Sequence, residues 1–192
     1  MNFKTMTAAA MLAAVAATPA FAGEYDDALA ALAQDKLRAI AADPAVVAAV
    51  REQNARTAAL SADEIVALDK DWRAQVGGAD TPLIDQVLSA DASARLVAAR
   101  DESEGMFTEI FAMDAKGLNV AASDVTSDYW QGDEAKWQET YLVGADAVHV
   151  SEVELDESTQ SYQAQVSIAV VDPDTNAPIG AVTFGVDVEM ME

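Results

Sequence analysis

The pattern of apolar residues changes at Gly105, and this change constrains the fold more than any other feature. From Tyr25 to about Arg100 the apolar residues recur at helical spacing. From Met106 onward they alternate with polar residues at the two-residue period of a β-strand, as in MFTEIFAMDAKG. Because helical sequence comes first and strands follow, we predict an α+β fold with an antiparallel sheet.

The helical part carries recognisable start signals. Pro44 after Asp43 occupies a first-turn position, and Ser61 with Glu64 three residues later forms a capping box. Thr81-Pro82 repeats the arrangement of a cap followed by proline. These signals predict helices over 25–42, 44–59, 61–76, 81–88 and 92–100.

The second part predicts five strands. A hairpin turn at 114–117 joins the first two, and a loop followed by a helix, to about Leu142, separates the second from the third. In the first strand, strict alternation places Phe107, Glu109 and Phe111 on one side. The predicted strands are 106–113, 118–123, 148–155, 162–171 and 181–188.

The first 22 residues have the pattern of a cleaved signal peptide. Lys4 precedes the apolar run MTAAAMLAAVAA, and Ala20-Phe21-Ala22 fits the cleavage site. The chain contains no cysteine. Export without disulfides fits a bacterial periplasm, so we expect a periplasmic protein whose single domain is residues 23–192.

The chain has a formal net charge of −22 at pH 7. Such a chain is repelled by phosphate backbones and anionic lipid headgroups, which argues against nucleic acid and membrane partners. The acidity favours solubility and attracts cations, so adventitious calcium at the surface stays open. No later apolar stretch approaches the roughly 20 residues that a membrane span needs.

The order of these elements resembles the periplasmic PDC/Cache sensor domains, a PAS-like extracellular family. The stretches that carry the resemblance are EIFAMDAKGLNVAAS, SDYWQGDEAKW and IGAVTFGVDVE. The resemblance implies an N-terminal helix and a PAS-like sheet, with a small ligand between the sheet and the loop-helix segment. Such domains usually lie between two transmembrane helices ahead of an output module. Since neither follows here, we expect a free-standing binding protein or a sensor that reports to another polypeptide.

The segment SDYWQGDEAKW is the first candidate for ligand contacts. Tyr129 and Trp130 offer rigid aromatic faces, while Asp128, Asp133 or Glu134 could hold the amine of a ligand. The structural alternative is that the aromatics cover the sheet and the carboxylates cap a helix N-terminus. We expect Trp137 and Tyr141 to belong to the core.

Two further candidates follow from the position of the strands. Asp187, between Val186 and Val188 in the last strand, would face the sheet surface opposite to the valines. By analogy with ligand-binding relatives its carboxylate is a candidate for an amine, and a solvated edge residue is the alternative. Ser123, at the end of the second strand, is placed at the pocket mouth by the same analogy.

Other chemistry has little support. With His149 as the only histidine and no cysteine, we expect no transition-metal site, no cofactor and no catalytic triad. The stretch DPDTN at 172–176 begins like a calcium loop, but Ala177 replaces the required glycine and Thr183 the required glutamate. We therefore interpret it as a hairpin turn. Adjacent Asp133 and Glu134 do not make an acid/base pair, and we do not expect an enzyme.

These observations favour a secreted, periplasmic sensor-type domain that binds a small metabolite. An amine-bearing metabolite is the first candidate, and amino acids, amines and carboxylates all stay open as classes. Its signal would pass through a separate membrane-bound protein. The alternative is an accessory scaffold or protein-interaction subunit with no small ligand, in which the pocket is filled by the protein's own side chains.

Overall fold

The computed structural model describes residues 25–156 and 161–191, and the predicted signal peptide lies outside them. Seven helices and six strands follow one another within this part of the chain. The helices are α1 (Asp26–Leu32), α2 (Arg38–Ala41), α3 (Pro44–Thr57), α4 (Ala62–Gln75), α5 (Pro82–Leu88), α6 (Asp91–Asp101) and α7 (Ala135–Gln138). The strands are β1 (Phe107–Met113), β2 (Asn119–Ala122), β3 (Val148–Val150), β4 (Glu154–Asp156), β5 (Ser161–Val171) and β6 (Pro178–Asp187).

The helices begin where their caps predict. The Asp43 side chain accepts a hydrogen bond from the backbone N–H of Ala45 at 2.8 Å, with Pro44 in the first turn of α3. The predicted capping box of Ser61 and Glu64 is present at the start of α4. A π-helical turn over Ala33–Leu37 joins α1 to α2, so the predicted first helix is continuous but locally widened.

The strands form one antiparallel sheet in the order β2-β1-β6-β5-β3, with β4 also paired to β5, which confirms the predicted α+β class. The predicted third strand is divided into β3 and β4. Val150 pairs with Val166 and Glu154 with Gln163, so three residues of one strand face two of the other. This mismatch bulges the chain between β3 and β4.

The two faces of the sheet carry different cores. One face of the sheet packs on α1, α2, α3 and α6, and Phe184 on this face is fully buried. Full burial of a phenylalanine stabilises the fold by about 1.5–3 kcal/mol. The prediction that Phe107 shares a side with Glu109 is wrong. A register shift between these two residues turns Phe107 into the helix-side core, and Glu109 faces the opposite surface.

The opposite face is partly covered by α4, α5 and the loop-helix segment between β2 and β3. Its core consists of apolar and aromatic side chains from all three and from the strands beneath them. The principal buried members are Ile65, Trp72, Ile84, Val87, Phe111, Met113, Leu118, Tyr129 and Trp137. This arrangement leaves the part of the face near β4 and the beginning of β5 outside the core.

The loop-helix segment contains less helix than predicted. The helix α7 ends at Gln138, and the chain continues as turns, with the hydroxyl of Thr140 donating to the carbonyl of Lys136 at 2.6 Å. Trp137 is buried as predicted, while Tyr141 is only partly buried. None of the helices in the two described ranges has the length and apolar character to cross a membrane.

Candidate functional site

The segment that contains Tyr129 and Trp130 is fastened to α4. One carboxylate oxygen of Asp69 accepts the backbone N–H groups of Tyr129 and Trp130 at 3.0 and 3.1 Å. The Tyr129 ring stacks on Trp72 with centroids 5.4 Å apart, and Tyr129 is 4% exposed. The ring therefore belongs to the core on this face, and burial is the main cause that raises the pKa of Tyr129 to about 12.

The side chain of Trp130 contacts the β1–β2 turn. Its indole N–H donates to the carbonyl of Lys116 at 2.9 Å. A Cβ atom added at Gly132 would lie 2.8 Å from the same carbonyl oxygen and closer still to the indole nitrogen. The glycine thus permits backbone-level contact, and the loop and the turn touch each other directly.

Asp128 is engaged on both of its carboxylate oxygens. One oxygen accepts from the side-chain amide of Gln131 at 2.7 Å and from the hydroxyl of Ser127 at 2.9 Å. The other pairs with Arg73 of α4 at 3.2 Å. Asp128 therefore orders the segment through partners in its own chain.

The two predicted carboxylates at the start of α7 differ in environment. Asp133 is exposed, while Glu134 is partly buried. Glu134 forms an ion pair with the ammonium group of Lys136 at 2.8 Å, and that ammonium also lies 5.5 Å from the centre of the Phe111 ring. The Glu134 carboxylate is thus paired with an amine of its own chain, and its predicted contact with the amine of a ligand stays a prediction.

The last two predicted residues lie elsewhere on the sheet. Asp187 is at the end of β6 that pairs with the start of β1, whereas the indole of Trp137 bonds to the carbonyl of Asp114 beyond the other end of β1. Six residues of strand span about 20 Å. Ser123 bonds to the backbone of Ile110 at 2.8 Å, on the edge of the sheet. The structure therefore does not bring the seven predicted residues together in one pocket.

The sheet face that packs on α4, α5 and the loop-helix segment also has an uncovered part, which forms a cleft of about 410 Å³. This volume lies within the range of small-molecule pockets. The cleft lies between the bulged chain of β3 and β4 and the strands β1 and β5. Its lining residues are Glu109, Ser151, Glu152, Glu154, Leu155, Asp156, Gln163, Ala164 and Gln165. We call this space the Glu109 cleft.

Glu109 reaches this cleft because the central strand lacks a side chain at one position. Gly185 of β6 pairs with Glu109 on one side and with Gln165 on the other. A Cβ atom at Gly185 would lie 2.9 Å from the Cγ atom of Glu109 and would also collide with the Thr108 hydroxyl. The glutamate crosses over the glycine and accepts a hydrogen bond from the side-chain amide of Gln165 at 3.2 Å.

The electrostatics of the Glu109 cleft favour a positive charge. Burial is the main cause that raises the pKa of Glu109 above its usual range, opposed by the hydrogen bond from Gln165 and by the charge of Lys136. Three more carboxylates line the cleft, those of Glu152, Glu154 and Asp156, and none of the lining residues is basic. A cation entering here would therefore be attracted and would compensate the desolvation of Glu109.

Asp187 adjoins the Glu109 cleft. It pairs in register with Gln163 of β5, which lines the cleft, and paired residues point to the same face of a sheet. Asp187 is half-buried, and its carboxylate accepts the backbone N–H of Glu189 at 3.0 Å. Asp187 is thus separated from the other predicted carboxylates but lies on the face of the sheet that carries Gln163 and the Glu109 cleft.

Glu109 itself was missed as a site residue. Strict alternation along β1 predicts that Glu109 shares a face with two phenylalanines, which is the pattern of a core position. Its isolation as the only acidic residue within β1 was the available signal. The glycine that admits it lies 76 positions later, so their contact cannot be inferred from the local pattern.

Two other cavities lie on the helix side of the sheet. One of about 440 Å³ lies between α3, the turn from α5 to α6 and β2, with Gln53, Arg56 and Val120 in its walls. The other, of about 270 Å³, has Arg38 and Ala169 among its lining residues. Neither contains a residue that the sequence predicted as a ligand contact.

Metal ligation has no support in residues 25–156 and 161–191, where no group of three or more His, Asp or Glu is placed to hold an ion. His149 pairs with Glu139 at 2.9 Å. Asp172 and Asp174 lie in the turn between β5 and β6. The guanidinium of Arg51, in α3, contacts them at 2.5 Å and 2.6 Å. An arginine thus occupies the place between these carboxylates that a calcium ion would take, and the predicted hairpin turn is confirmed.

No model of a known protein family matches the sequence, and no curated protein is similar to it. Solved structures that are similar to the chain include ligand-binding and sensory domains of bacterial chemoreceptors and histidine kinases.

Three of them are the ligand-binding domain of Campylobacter jejuni chemoreceptor Tlp3 with 4-methylisoleucine, the sensor domain of V. cholerae histidine kinase DctB, and the ligand-binding domain of Pseudomonas aeruginosa amino acid chemoreceptor PctC with GABA. Their identities to the chain are 10%, 17% and 18%, and their TM-scores are 0.40, 0.36 and 0.39. The matches cover 84%, 77% and 67% of this chain and 64%, 58% and 58% of theirs, so it spans less than two thirds of their length. The ligands named for those domains assign no ligand here.

Proposed function

We propose that the chain is a periplasmic sensor-type domain that binds a small, amine-bearing metabolite in the Glu109 cleft. The observation that carries the proposal is the Glu109 carboxylate, drawn over Gly185 into a cavity of about 410 Å³ and held there by Gln165. A carboxylate in this setting gains from a cation more than an exposed one does, because the local dielectric is lower.

The geometry indicates how an amine would be held. Glu109 supplies the charge, the side-chain amides of Gln163 and Gln165 supply polar groups, and Glu152 and Glu154 at the exposed rim add long-range attraction. Among the residues that the sequence predicts as ligand contacts, Asp187 pairs with Gln163 of the cleft, so we include Asp187 in the proposed site. The contribution of Ser123 and of the Asp128–Glu134 segment to ligand binding stays a prediction.

Thermal-shift screening followed by calorimetry tests the proposal. Polyamines, quaternary amines and amino acids are compared with dicarboxylates of similar size. We expect the amine-bearing compounds to raise the melting temperature and the dicarboxylates to have no effect. Glu109→Gln keeps the shape of the side chain but removes the charge, and should weaken binding about 10- to 100-fold, the value of one charge-assisted hydrogen bond.

The matched control is Glu102→Gln, which makes the same charge change at an exposed position after α6. It should leave affinity unchanged. If every compound fails to stabilise the protein, or if Glu109→Gln and Glu102→Gln bind equally well, the Glu109 cleft is not the site.

We propose further that the bound state is transmitted to a separate membrane protein through the turn after α7. Leu142 and Val143 are adjacent in this turn, and they are 61% and 70% exposed. Neighbouring exposed aliphatic side chains are typical of a protein contact. Crosslinking from this turn in periplasmic extracts, with and without the amine, would identify such a partner, and Leu142→Ser should reduce the yield.

A second candidate function is supported by the packing of the loop-helix segment. Trp72, Phe111 and Trp137 fill the space beneath it, which is what a scaffold or interaction subunit with no small ligand would show. In that case a stoichiometric protein partner would be recovered from the periplasm, and Glu109→Gln would not alter its recovery. Ligand screening would find no stabilising compound.

A further inference from the structure

The ammonium group of Lys136 is surrounded by polar and aromatic groups of its own chain. It lies 2.8 Å from a carboxylate oxygen of Glu134, 3.2 Å from the side-chain carbonyl of Gln131 and 5.5 Å from the centre of the Phe111 ring. The side chain of Lys136 is only 14% exposed. Three kinds of group that stabilise a primary ammonium therefore meet at one nitrogen atom.

Two of the surrounding groups, Gln131 and Phe111, are held in place by contacts other than the lysine. Gln131 is 1% exposed, and its amide nitrogen donates to the Asp128 carboxylate at 2.7 Å. The amide oxygen must therefore point the other way, toward the ammonium. Phe111 is 2% exposed in β1, and the backbone N–H of Glu134 donates to the carbonyl of Gln131 at 3.1 Å. The amide oxygen of Gln131 and the ring of Phe111 are thus oriented for a cation by the rest of the fold.

This site is separate from the Glu109 cleft. Neither Gln131, Glu134 nor Phe111 lines that cleft. Phe111 follows Glu109 by two residues on the same strand face, so the two spaces are neighbours. An ammonium ion bound by Gln131, Glu134 and Phe111 needs no residue of the cleft, so this site does not rest on the proposed function.

We propose that Gln131, Glu134 and Phe111 form a binding site for a primary ammonium ion, and that the side chain of Lys136 is its resident ligand. A primary ammonium has three N–H donors, which match the two oxygens and leave one for solvent. A quaternary ammonium has no N–H group and cannot bond to either oxygen. An external amine and Lys136 exclude each other, so an amine that enters the site displaces the Lys136 ammonium, while the Trp137 indole still bonds α7 to the carbonyl of Asp114.

The test removes the resident ligand and supplies it again as a small molecule. Lys136→Ala deletes three methylene groups and the ammonium, the same atoms as propylammonium provides. Thermal unfolding is followed with propylammonium chloride, and with tetramethylammonium chloride and sodium chloride at equal ionic strength. Lys70→Ala on α4, at an exposed position, is the control for the loss of a positive charge.

Lys136→Ala should melt about 2–6 °C below the wild type, and 100 mM propylammonium should return about 2–4 °C of this with saturation. The wild type and Lys70→Ala keep the Glu109 cleft and serve as the baseline, so this additional rise of about 2–4 °C should appear in Lys136→Ala alone. Lys136→Met, which fills the space without a charge, should not show this rise. If Lys136→Ala does not fold, the same comparison is made on the native fraction recovered by circular dichroism, where propylammonium alone should restore it.

Two double variants assign the site. Adding Glu134→Gln to Lys136→Ala should abolish the response to propylammonium, and adding Glu109→Gln should leave it in place. The proposal is overturned if tetramethylammonium rescues Lys136→Ala as well as propylammonium does, if neither salt rescues it, or if the response survives Glu134→Gln. Loss of the response with Glu109→Gln would also overturn it, because the amine would then be bound in the neighbouring cleft.

Discussion

Replacing Asp114 by asparagine should destabilise the protein, because this carboxylate joins two parts of the fold. Asp114 is completely buried. One carboxylate oxygen accepts the backbone N–H groups of Lys116 and Leu118 at 2.8 and 3.0 Å, and the other accepts from Gln53 at 3.2 Å and Thr57 at 2.8 Å, both in α3. The carboxylate thus ties the β1–β2 turn to α3.

The structure sets the size of the effect. An asparagine can keep one oxygen, and it will keep the oxygen that serves the two backbone donors, since orphaned backbone groups cost most. Its amide nitrogen then faces the amide nitrogen of Gln53, while the hydroxyl of Thr57 can rotate to accept. The hydrogen bond from Gln53 is lost and the other three lose the charge that strengthens them, so Asp114→Asn should cost about 2–4 kcal/mol, although the Gln53 amide keeps the carbonyls of Leu118 and Asn119 as acceptors.

For a domain of this size, that cost corresponds to a melting temperature lowered by about 4–16 °C. Asp71→Asn, at an exposed position in α4, is the control and should change stability by less than about 0.5 kcal/mol. The measurement is urea and thermal unfolding followed by circular dichroism.

Asp114→Ala should be worse than Asp114→Asn, because it removes all four hydrogen bonds and leaves the backbone N–H groups of Lys116 and Leu118 without their acceptor. The opposing effect is the desolvation of the buried charge, which both substitutions relieve. If Asp114→Asn is as stable as the wild type, or if the alanine variant is the more stable of the two, desolvation outweighs the four hydrogen bonds and the reasoning is refuted.

Three further predictions follow from contacts described above. The Arg51 guanidinium lowers the pKa of Asp172 from 3.8 to about 2, chiefly by a side-chain hydrogen bond, so the ion pair stabilises the fold fully above about pH 4 and ceases to do so as the pH falls through 2. The melting temperatures of Arg51→Gln and the wild type should therefore converge at about pH 2, and a difference that is independent of pH would contradict this. Gly132→Ala should lower the melting temperature by several degrees through the clash with the Trp130 indole and should shift tryptophan fluorescence, whereas an unchanged spectrum would show that the loop adjusts freely. Amine affinity should fall as the pH is lowered through the pKa of Glu109, which is raised above 4.5, since only the ionised carboxylate attracts a cation. Titration calorimetry from pH 7 to 4 measures this, and an affinity that does not change with pH would exclude Glu109 as the acceptor.

Features that depend on short stretches of sequence were predictable. The capping box at Ser61, the helix start at Pro44 and the alternation of β5 and β6 each require only neighbouring residues. The order of helices before strands followed from these local signals. They were sufficient for the α+β class and for the loop-helix segment between the second and third strands.

Features that depend on distant partners were not predictable. The register shift between Phe107 and Glu109 arises in the pairing of β1 with β6, and alternation within β1 alone predicts the wrong face for Phe107. The density of aromatics around Tyr129 suggested a pocket wall, yet the ring of Trp72, far away in the sequence, stacks on Tyr129 and makes it core. The local pattern of a binding aromatic and of a core aromatic is the same.

The missing side chain at Gly185 has a consequence for how this domain can diverge. Any larger residue at position 185 would push Glu109 out of the cleft, since its Cβ atom would lie 2.9 Å from the Cγ atom of the glutamate. A substitution at 185 would therefore become tolerable only after, or together with, a shorter residue at 109. We expect the two positions to change as a pair in descendants of this sequence, and a descendant that has exchanged both to have lost its preference for cations while keeping the same fold.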